Sequence, residues 1–176
     1  WKDVGMVAGD ASVDSDTQEV SYPLFQERRS ARYGLSRVHT VSGELSASNH
    51  WMIDEHRLLS GVALLPGTGY LDLIRAALSE CGIIRGWSIR NLVFLNPLFV
   101  ADDKAQRFEI VLHGNQLTWE VEIAAVDAAT GRRELCATGR VAPAATDGTG
   151  SLPLNDIRSR CTSSHDSAGG SSALRT

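Results

Sequence analysis

The stretch Trp51-Met-Ile-Asp-Glu-His56-Arg-Leu-Leu-Ser-Gly61-Val-Ala-Leu-Leu-Pro66-Gly67-Thr-Gly-Tyr-Leu-Asp72 carries a histidine into a Pro-Gly turn, and the turn opens an apolar helix. Pro66 is suited to the position just before a first helical turn. Tyr70, Ile74, Ala77, Leu78 and Cys81 recur at helical spacing, and Gly82 is a natural stop. The spacing predicts a helix from Gly67 to about Glu80. Leu71 and Ala76 make it apolar on most sides, so it is a helix to be wrapped rather than laid on a surface.

The segments on either side supply the wrapping. Upstream, Val38 to Leu45 reads as a strand that Ser46-Ala-Ser-Asn49 breaks, and His50 to Pro66 reads as a loop. Downstream, strand signals follow one another. Trp87 to Val100 carries Leu92-Val-Phe-Leu95 and then Asn96-Pro97 as a bend. Gln106 to His113 puts Phe108, Ile110 and Leu112 on one face. Leu117, Trp119, Val121 and Ile123 alternate with Thr118, Glu120 and Glu122, the pattern of a half-buried strand. Arg132 to Ala142 is a last strand, and Pro143 ends it. An antiparallel sheet with one apolar helix forms a core if the sheet curves around the helix.

The ends read differently. Residues 1–20 are rich in Gly, Ala, Ser and Asp and read as linker, with a short strand at Glu19–Tyr22. Gln26 to Arg37, with Arg28, Arg29, Arg32 and Arg37, reads as a solvated basic loop in preference to a phosphate-contacting patch. Residues 144–176 read as linker or tail, leaving 21–143 as the folded domain. The chain starts at Trp1 rather than Met, as expected of a piece cut from a longer polypeptide or of a chain whose first residues are missing from this sequence.

Composition narrows the function. At 176 residues and 43% hydrophobic, the chain has enough for one domain with a real core. A net charge of −4 and the lack of a basic run give no electrostatic case for nucleic acid or an anionic membrane. No apolar run is long enough to span a bilayer, and no signal peptide is expected. Cys81, Cys136 and Cys161 form no Cys-x-x-Cys pair and no zinc spacing, so they read as small hydrophobes in a reducing cytoplasm. No metal or nucleotide site is expected.

His56 is the residue with chemistry around it. An imidazole near its ordinary pKa moves protons at physiological pH. A helix start next to it offers free N–H groups to a polarised carbonyl. On these grounds alone, His56 is equally a surface or structural histidine. His39, His50, His113 and His165 lack such a setting and read as structural or solvated.

The motif carries a family likeness. His56, Gly61 and Pro66-Gly67, followed by Thr-Gly-Tyr-Leu-Asp72-Leu, resemble the His-x-x-x-Gly-x-x-x-x-Pro-Gly signature of dehydratase domains in modular polyketide synthases. Trp51-Met-Ile-Asp54 resembles the family's Trp-Leu-x-Asp-His approach, and Tyr22-Pro-Leu-Phe25 its opening His-Pro-Leu-Leu. Asp156-Ile-Arg-Ser-Arg-Cys161 resembles the linker into the family's second half. The likeness covers roughly residues 20–162. Two spacers are one residue longer than the common pattern, Trp51 to His56 and His56 to Gly61, and Asn49-His50 stands where many members have His-Pro.

The resemblance implies an α+β hotdog fold, the first half of a double hotdog. It implies dehydration of 3-hydroxyacyl thioesters carried on the phosphopantetheine of an acyl carrier protein. His56 would be the base, held neutral by the apolar setting of Leu58, Leu59, Val62 and Leu64. Gly61 would donate its N–H to the thioester carbonyl, and Pro66 and Gly67 would shape the substrate-binding turn. The acid would be an Asp in an Asp-x-x-x-Gln/His context on the helix of a second hotdog, and no such motif is present; Asp166 does not match it. Implied partners are that second hotdog, the carrier protein, neighbouring synthase domains and a second copy in a homodimer. No bound cofactor is implied, and the location is cytoplasmic.

Asp72 keeps two readings. It lies six residues after Pro66, where single-hotdog dehydratases carry a helix carboxylate as the acid, so it could complete a site across a homodimer. In a double hotdog it is a remnant, paired with Arg75 one turn on; the longer motif favours this second reading. Three functions stay open: a dehydratase half incomplete on its own, an inactive hotdog that scaffolds a synthase or docks the carrier protein, and, more weakly, a hotdog thioesterase.

Overall fold

A computed structural model of the chain describes residues 19–48, 50–83, 86–115, 117–144 and 154–160. Most of the expected leading linker, and from the tail Cys161, His165 and Asp166, lie outside the described residues. The chain divides into two units, 1–144 and 145–176. In the second, a helix, α3 (Leu154–Arg160), lies within the stretch expected to be linker.

The first unit has the hotdog fold. Its strands are β1 (Phe25–Tyr33), β2 (Ser36–Leu45), β3 (Ala63–Leu64), β4 (Trp87–Phe94), β5 (Phe99–Val100), β6 (Gln106–Gly114), β7 (Trp119–Val126) and β8 (Arg133–Pro143). Two helices interrupt them, the four-residue α1 (Trp51–Asp54) and the fourteen-residue α2 (Gly67–Glu80). Six strands form one antiparallel sheet in the order β1-β2-β6-β7-β8-β4, while β3 and β5 pair separately. Helix α2 has the predicted bounds, and it buries Tyr70, Leu73, Ile74, Ala76, Ala77 and Leu78. The same buried cluster holds Val41 and Leu45 of β2, Phe108, Ile110 and Leu112 of β6, and Trp119, Val121 and Ile123 of β7. These strand residues are the inward members of the alternation read from the sequence.

Four readings change. His50 to Pro66 is not all loop, since α1 and β3 form within it. Gln26 to Arg37 is not a loop: residues 25–33 form β1, paired with β2 from Phe25↔Gly43 to Tyr33↔Ser36. Apolar alternation is missing because β1 is an edge strand, where charged side chains guard the open hydrogen-bonding side. Glu19–Tyr22 is not a strand. Its backbone goes instead to α2, with Ser21 N–H (2.9 Å) and Tyr22 N–H (2.8 Å) donating to the Glu80 carboxylate. Trp87 to Val100 is two strands, split at Asn96-Pro97 where the chain leaves the main sheet.

Glycine is required at position 43 by a close approach. A Cβ on Gly43 would lie 2.0 Å from the Leu24 carbonyl oxygen, which accepts the Glu44 N–H across a bulge in β1. The approach seats Leu24 and Phe25 in the core beside Phe108.

Candidate active site

The motif is a short scaffold of backbone hydrogen bonds between α1 and α2. Ile53 is the buried residue of α1 and anchors it, while Trp51 stays exposed. His56 follows immediately. Its N–H donates to the Ile53 carbonyl (3.1 Å), and its own carbonyl accepts the Leu64 N–H (3.0 Å). Arg57 bridges Ala63, and the Leu58 carbonyl and N–H bond to Gly61 and Val62 respectively, closing a tight turn. Gly61 sits in this turn at φ 86°, a conformation that costs other residues strain. The Leu65 N–H donates to the Leu98 carbonyl (2.9 Å) and the Leu98 N–H to the Tyr70 hydroxyl (3.1 Å), so Leu98, just before β5, ties the loop to α2. Pro66 is buried, and α2 starts at Gly67.

His56 is exposed, and so are Leu58, Leu59 and Val62. The apolar enclosure expected around the base is therefore not built by these residues. They project at the rim of a turn whose hydrogen bonds are used up internally. Apolar surface continues on β4, the residue after it and β5: Val93, Phe94, Leu95 and Phe99 are each about half exposed. Against this face lies a groove of about 300 Å³, lined by Leu64, Gly67, Tyr70, Phe94, Leu95 and Pro97. Phe94 packs edge-on against Tyr70, with ring centroids 5.1 Å apart, and a Cβ on Gly67 would come within 3.5 Å of the Phe94 ring. A larger depression of about 460 Å³ contains His113, Glu120, Glu122, Thr138 and Arg140 on the solvent face of the sheet, but no motif residue borders it. The smaller apolar groove is the one that adjoins Pro66-Gly67.

Gly61 does not present a free N–H in this arrangement. That N–H donates to the Leu58 carbonyl at 2.8 Å. Helix geometry leaves the N–H groups of Gly67 and Thr68, in the first turn of α2, without intrahelical acceptors.

Asp72 is engaged from both sides. The Tyr22 hydroxyl donates to one carboxylate oxygen, and Arg75 donates to the other from Nε (3.0 Å) and Nη2 (2.8 Å). The Tyr22 hydrogen bond, helped by Arg75 and opposed by burial, holds the Asp72 carboxyl below the usual carboxylate range. Burial, and then the bond to Asp72, pushes the Tyr22 phenol up to about 12. The reach of Tyr22 to Asp72 across fifty residues has no local signal in the sequence.

Of the remaining histidines, His39 is buried under the β1–β2 hairpin. Its Nδ1 lies 2.7 Å from the Ser30 hydroxyl and its ring 5.2 Å from that of Trp119. Burial, then the charges of Arg28 and Arg37, lower its pKa. Its place is structural. His50 donates from Nδ1 to the Ser46 carbonyl before α1. Among the described residues no group of three or more His, Cys, Asp or Glu side chains could hold a metal ion, and no helix is long and apolar enough to cross a membrane.

Comparison with known proteins extends the picture beyond this chain. The family model described as the polyketide synthase dehydratase domain matches residues 23–126. The polyketide synthase GfsB of Streptomyces halstedii is 34% identical over 132 residues, which is 73% of this chain and 2% of that protein. Among solved structures, the dehydratase domain from the CurF module of curacin polyketide synthase superposes with a TM-score of 0.66 at 18% identity, over 82% of this chain and 52% of that one. The dehydratase domain from the terminal module of the rifamycin polyketide synthase gives 0.60 at 22% identity, over 76% and 47%. The chain thus spans about half the length of the solved dehydratases it resembles.

Proposed function

The chain belongs to the polyketide synthase dehydratase domain family, and we propose that it is the N-terminal half of a site that removes water from 3-hydroxyacyl thioesters. The observation that carries this is the position of His56: fixed by its backbone on both sides, exposed, and flanked in the loop by Leu58, Leu59 and Val62, which the described residues leave uncovered. A second hotdog on that surface would shield the ring and supply the missing apolar wall. Two of the matched structures are inactive dehydratase mutants in which a histidine is replaced by phenylalanine, which supports a histidine in this chemistry.

The roles follow from what each group can do. Neutral His56 takes the proton from the carbon next to the thioester carbonyl, and negative charge grows on the carbonyl oxygen as the enolate forms. Backbone N–H groups at the turn stabilise that charge. Gly61 provides one only if the 58–61 turn opens on binding, because its N–H is held by Leu58. Its side-chain-free Cα, with no atom within 4 Å of where a Cβ would be, gives it room to do so. Gly67 and Thr68, at the start of α2, provide others. The acyl chain runs into the groove past Tyr70 and Phe94.

Expulsion of hydroxide as water requires a protonated acid. Asp72 is a poor one, because Tyr22 and Arg75 both stabilise its ionised form. This supports the remnant reading over a homodimeric single-hotdog site, with the acid supplied by a second hotdog. The substrate is carried on the phosphopantetheine of an acyl carrier protein, the enzyme works within a cytoplasmic synthase as a dimer, and no bound cofactor takes part.

The test is turnover of a 3-hydroxyacyl thioester, followed by mass spectrometry, for this chain alone and for the chain extended by its downstream sequence. The extended protein is expected to form the 2-enoyl product and the chain alone to form none. Downstream sequence of about one domain's length without an Asp-x-x-x-Gln/His motif would favour the scaffold reading.

A further inference from the structure

Arg57 is the residue around which the loop is tied. Its Nε donates to the Asp54 carbonyl (3.0 Å) and, with Nη2 (2.6 Å), to Asp54 Oδ1. Its Nη1 donates to the Gly61 carbonyl (2.8 Å), and Nη2 also lies 2.8 Å from Asp102 Oδ1. One guanidinium therefore joins three segments: the end of α1, the glycine turn, and the loop after β5. A planar fork of five donors fits this set of acceptors, and a lysine ammonium cannot span it.

We infer that Arg57 is a positioning residue for the motif: by spanning Asp54, Gly61 and Asp102 it fixes the backbone that aims His56. The inference rests on His56 being the base of the proposed dehydratase. His56 is next to Arg57 in the chain and next to Glu55, the residue that caps α1, so it lies between two points the guanidinium holds. Between buried Ile53 and buried Ala63, no buried side chain does this job, because residues 54–62 are all exposed. The ion pairs are at the surface, where such pairs add little to global stability. Their effect is local order, since loops with few buried contacts open well below the global unfolding free energy. The extra residue in the motif's spacer makes the need concrete: a longer turn has more conformations to lose before the base points one way.

The experiment compares Arg57→Ala, Arg57→Lys and Asp102→Asn in two settings. In this chain, amide hydrogen exchange is followed by NMR at Gly61 and Leu64, whose N–H groups close the loop. Arg57→Ala is expected to speed exchange there on the order of tenfold while Tyr70 and Ile110 in the core keep their rates. In the extended dehydratase, kcat is expected to fall on the order of tenfold with KM for the carrier-bound substrate within about twofold. Arg57→Lys restores only part of both effects, and Asp102→Asn, which removes one of the three anchors, gives a smaller change in the same direction. Unchanged exchange at Gly61 and Leu64, or full recovery with lysine, overturns the inference. If Arg57→Ala unfolds the chain, the other two variants decide by the same criteria. Activity surviving His56→Ala would instead strike the assignment of the base, leaving the exchange result to judge the clamp by itself.

Discussion

On the two sides of Pro66 the chain is held by different forces. Before it, residues 54–62 are exposed and are fixed by hydrogen bonds, many of them from Arg57. After it, α2 buries seven residues in the sheet's core. The helix is fixed by the hydrophobic effect, which does not depend on direction but demands volume. The loop is fixed by bonds that demand direction but bury almost nothing. The base sits in the second kind of region. Substitutions on the helix side should therefore cost stability, and those on the loop side should cost turnover.

The largest stability effect is expected on the helix side. Ile74→Ala removes a fully buried side chain and should destabilise by about 2–5 kcal/mol, read by chemical denaturation. A loss within about 0.5 kcal/mol, the range of ordinary surface changes, would mean that α2 is not in the core. Next is Glu80→Ala, which deprives Ser21 and Tyr22 of their shared acceptor. On the order of 1 kcal/mol is expected. Asp72→Asn should be smaller still and should leave dehydration by the extended protein intact. Abolished turnover there would restore the single-hotdog site. On the loop side, Leu59→Ser should leave stability within about 0.5 kcal/mol, because Leu59 is fully exposed.

Acid should separate the regions too. Burial holds the His39 pKa below its unfolded value. As pH falls through about 6.5, the unfolded chain takes up a proton that the folded chain resists, so stability drops. Asp72 is held low by Tyr22 and then Arg75. At Glu80 burial pushes upward, but the bonds from Ser21 and Tyr22 outweigh it. Both contribute stability above about pH 4 that is lost as pH falls through their folded pKa values. Denaturation midpoints from pH 7.5 down to 3 should thus decline in two stages, and His39→Leu should erase the first. A flat curve between pH 7 and 5 would contradict the burial of neutral His39.

The helix was legible because an apolar pattern at 3.6-residue spacing ends in Pro66 on one side and Gly82 on the other, and β6 and β7 because Phe108-Ile110-Leu112 and Trp119-Val121-Ile123 each keep a two-residue period. Strand β1 was hidden because an edge strand has no need of that period; Arg28, Arg29 and Arg32 look like a loop until the pairing with β2 is seen. At the site, the motif identified the residues but not their surroundings. The leucines after His56 read as an apolar wall, yet in the fold they point outward. That wall needs a partner surface, which no local pattern encodes. The role of Arg57 has no local signal, because Asp102 lies forty-five positions further on and its place beside the loop is set by the β3–β5 pairing.

The most direct measurement is the turnover of His56→Ala in the extended dehydratase, with the wild-type protein alongside. Loss of a positioned general base costs about 10²–10⁴ in rate. A drop of that size is the expected result, with the thermal stability of this chain alone unchanged by the same substitution, since His56 is exposed in it. Formation of the 2-enoyl product at the wild-type rate would contradict the assignment of His56 as the base.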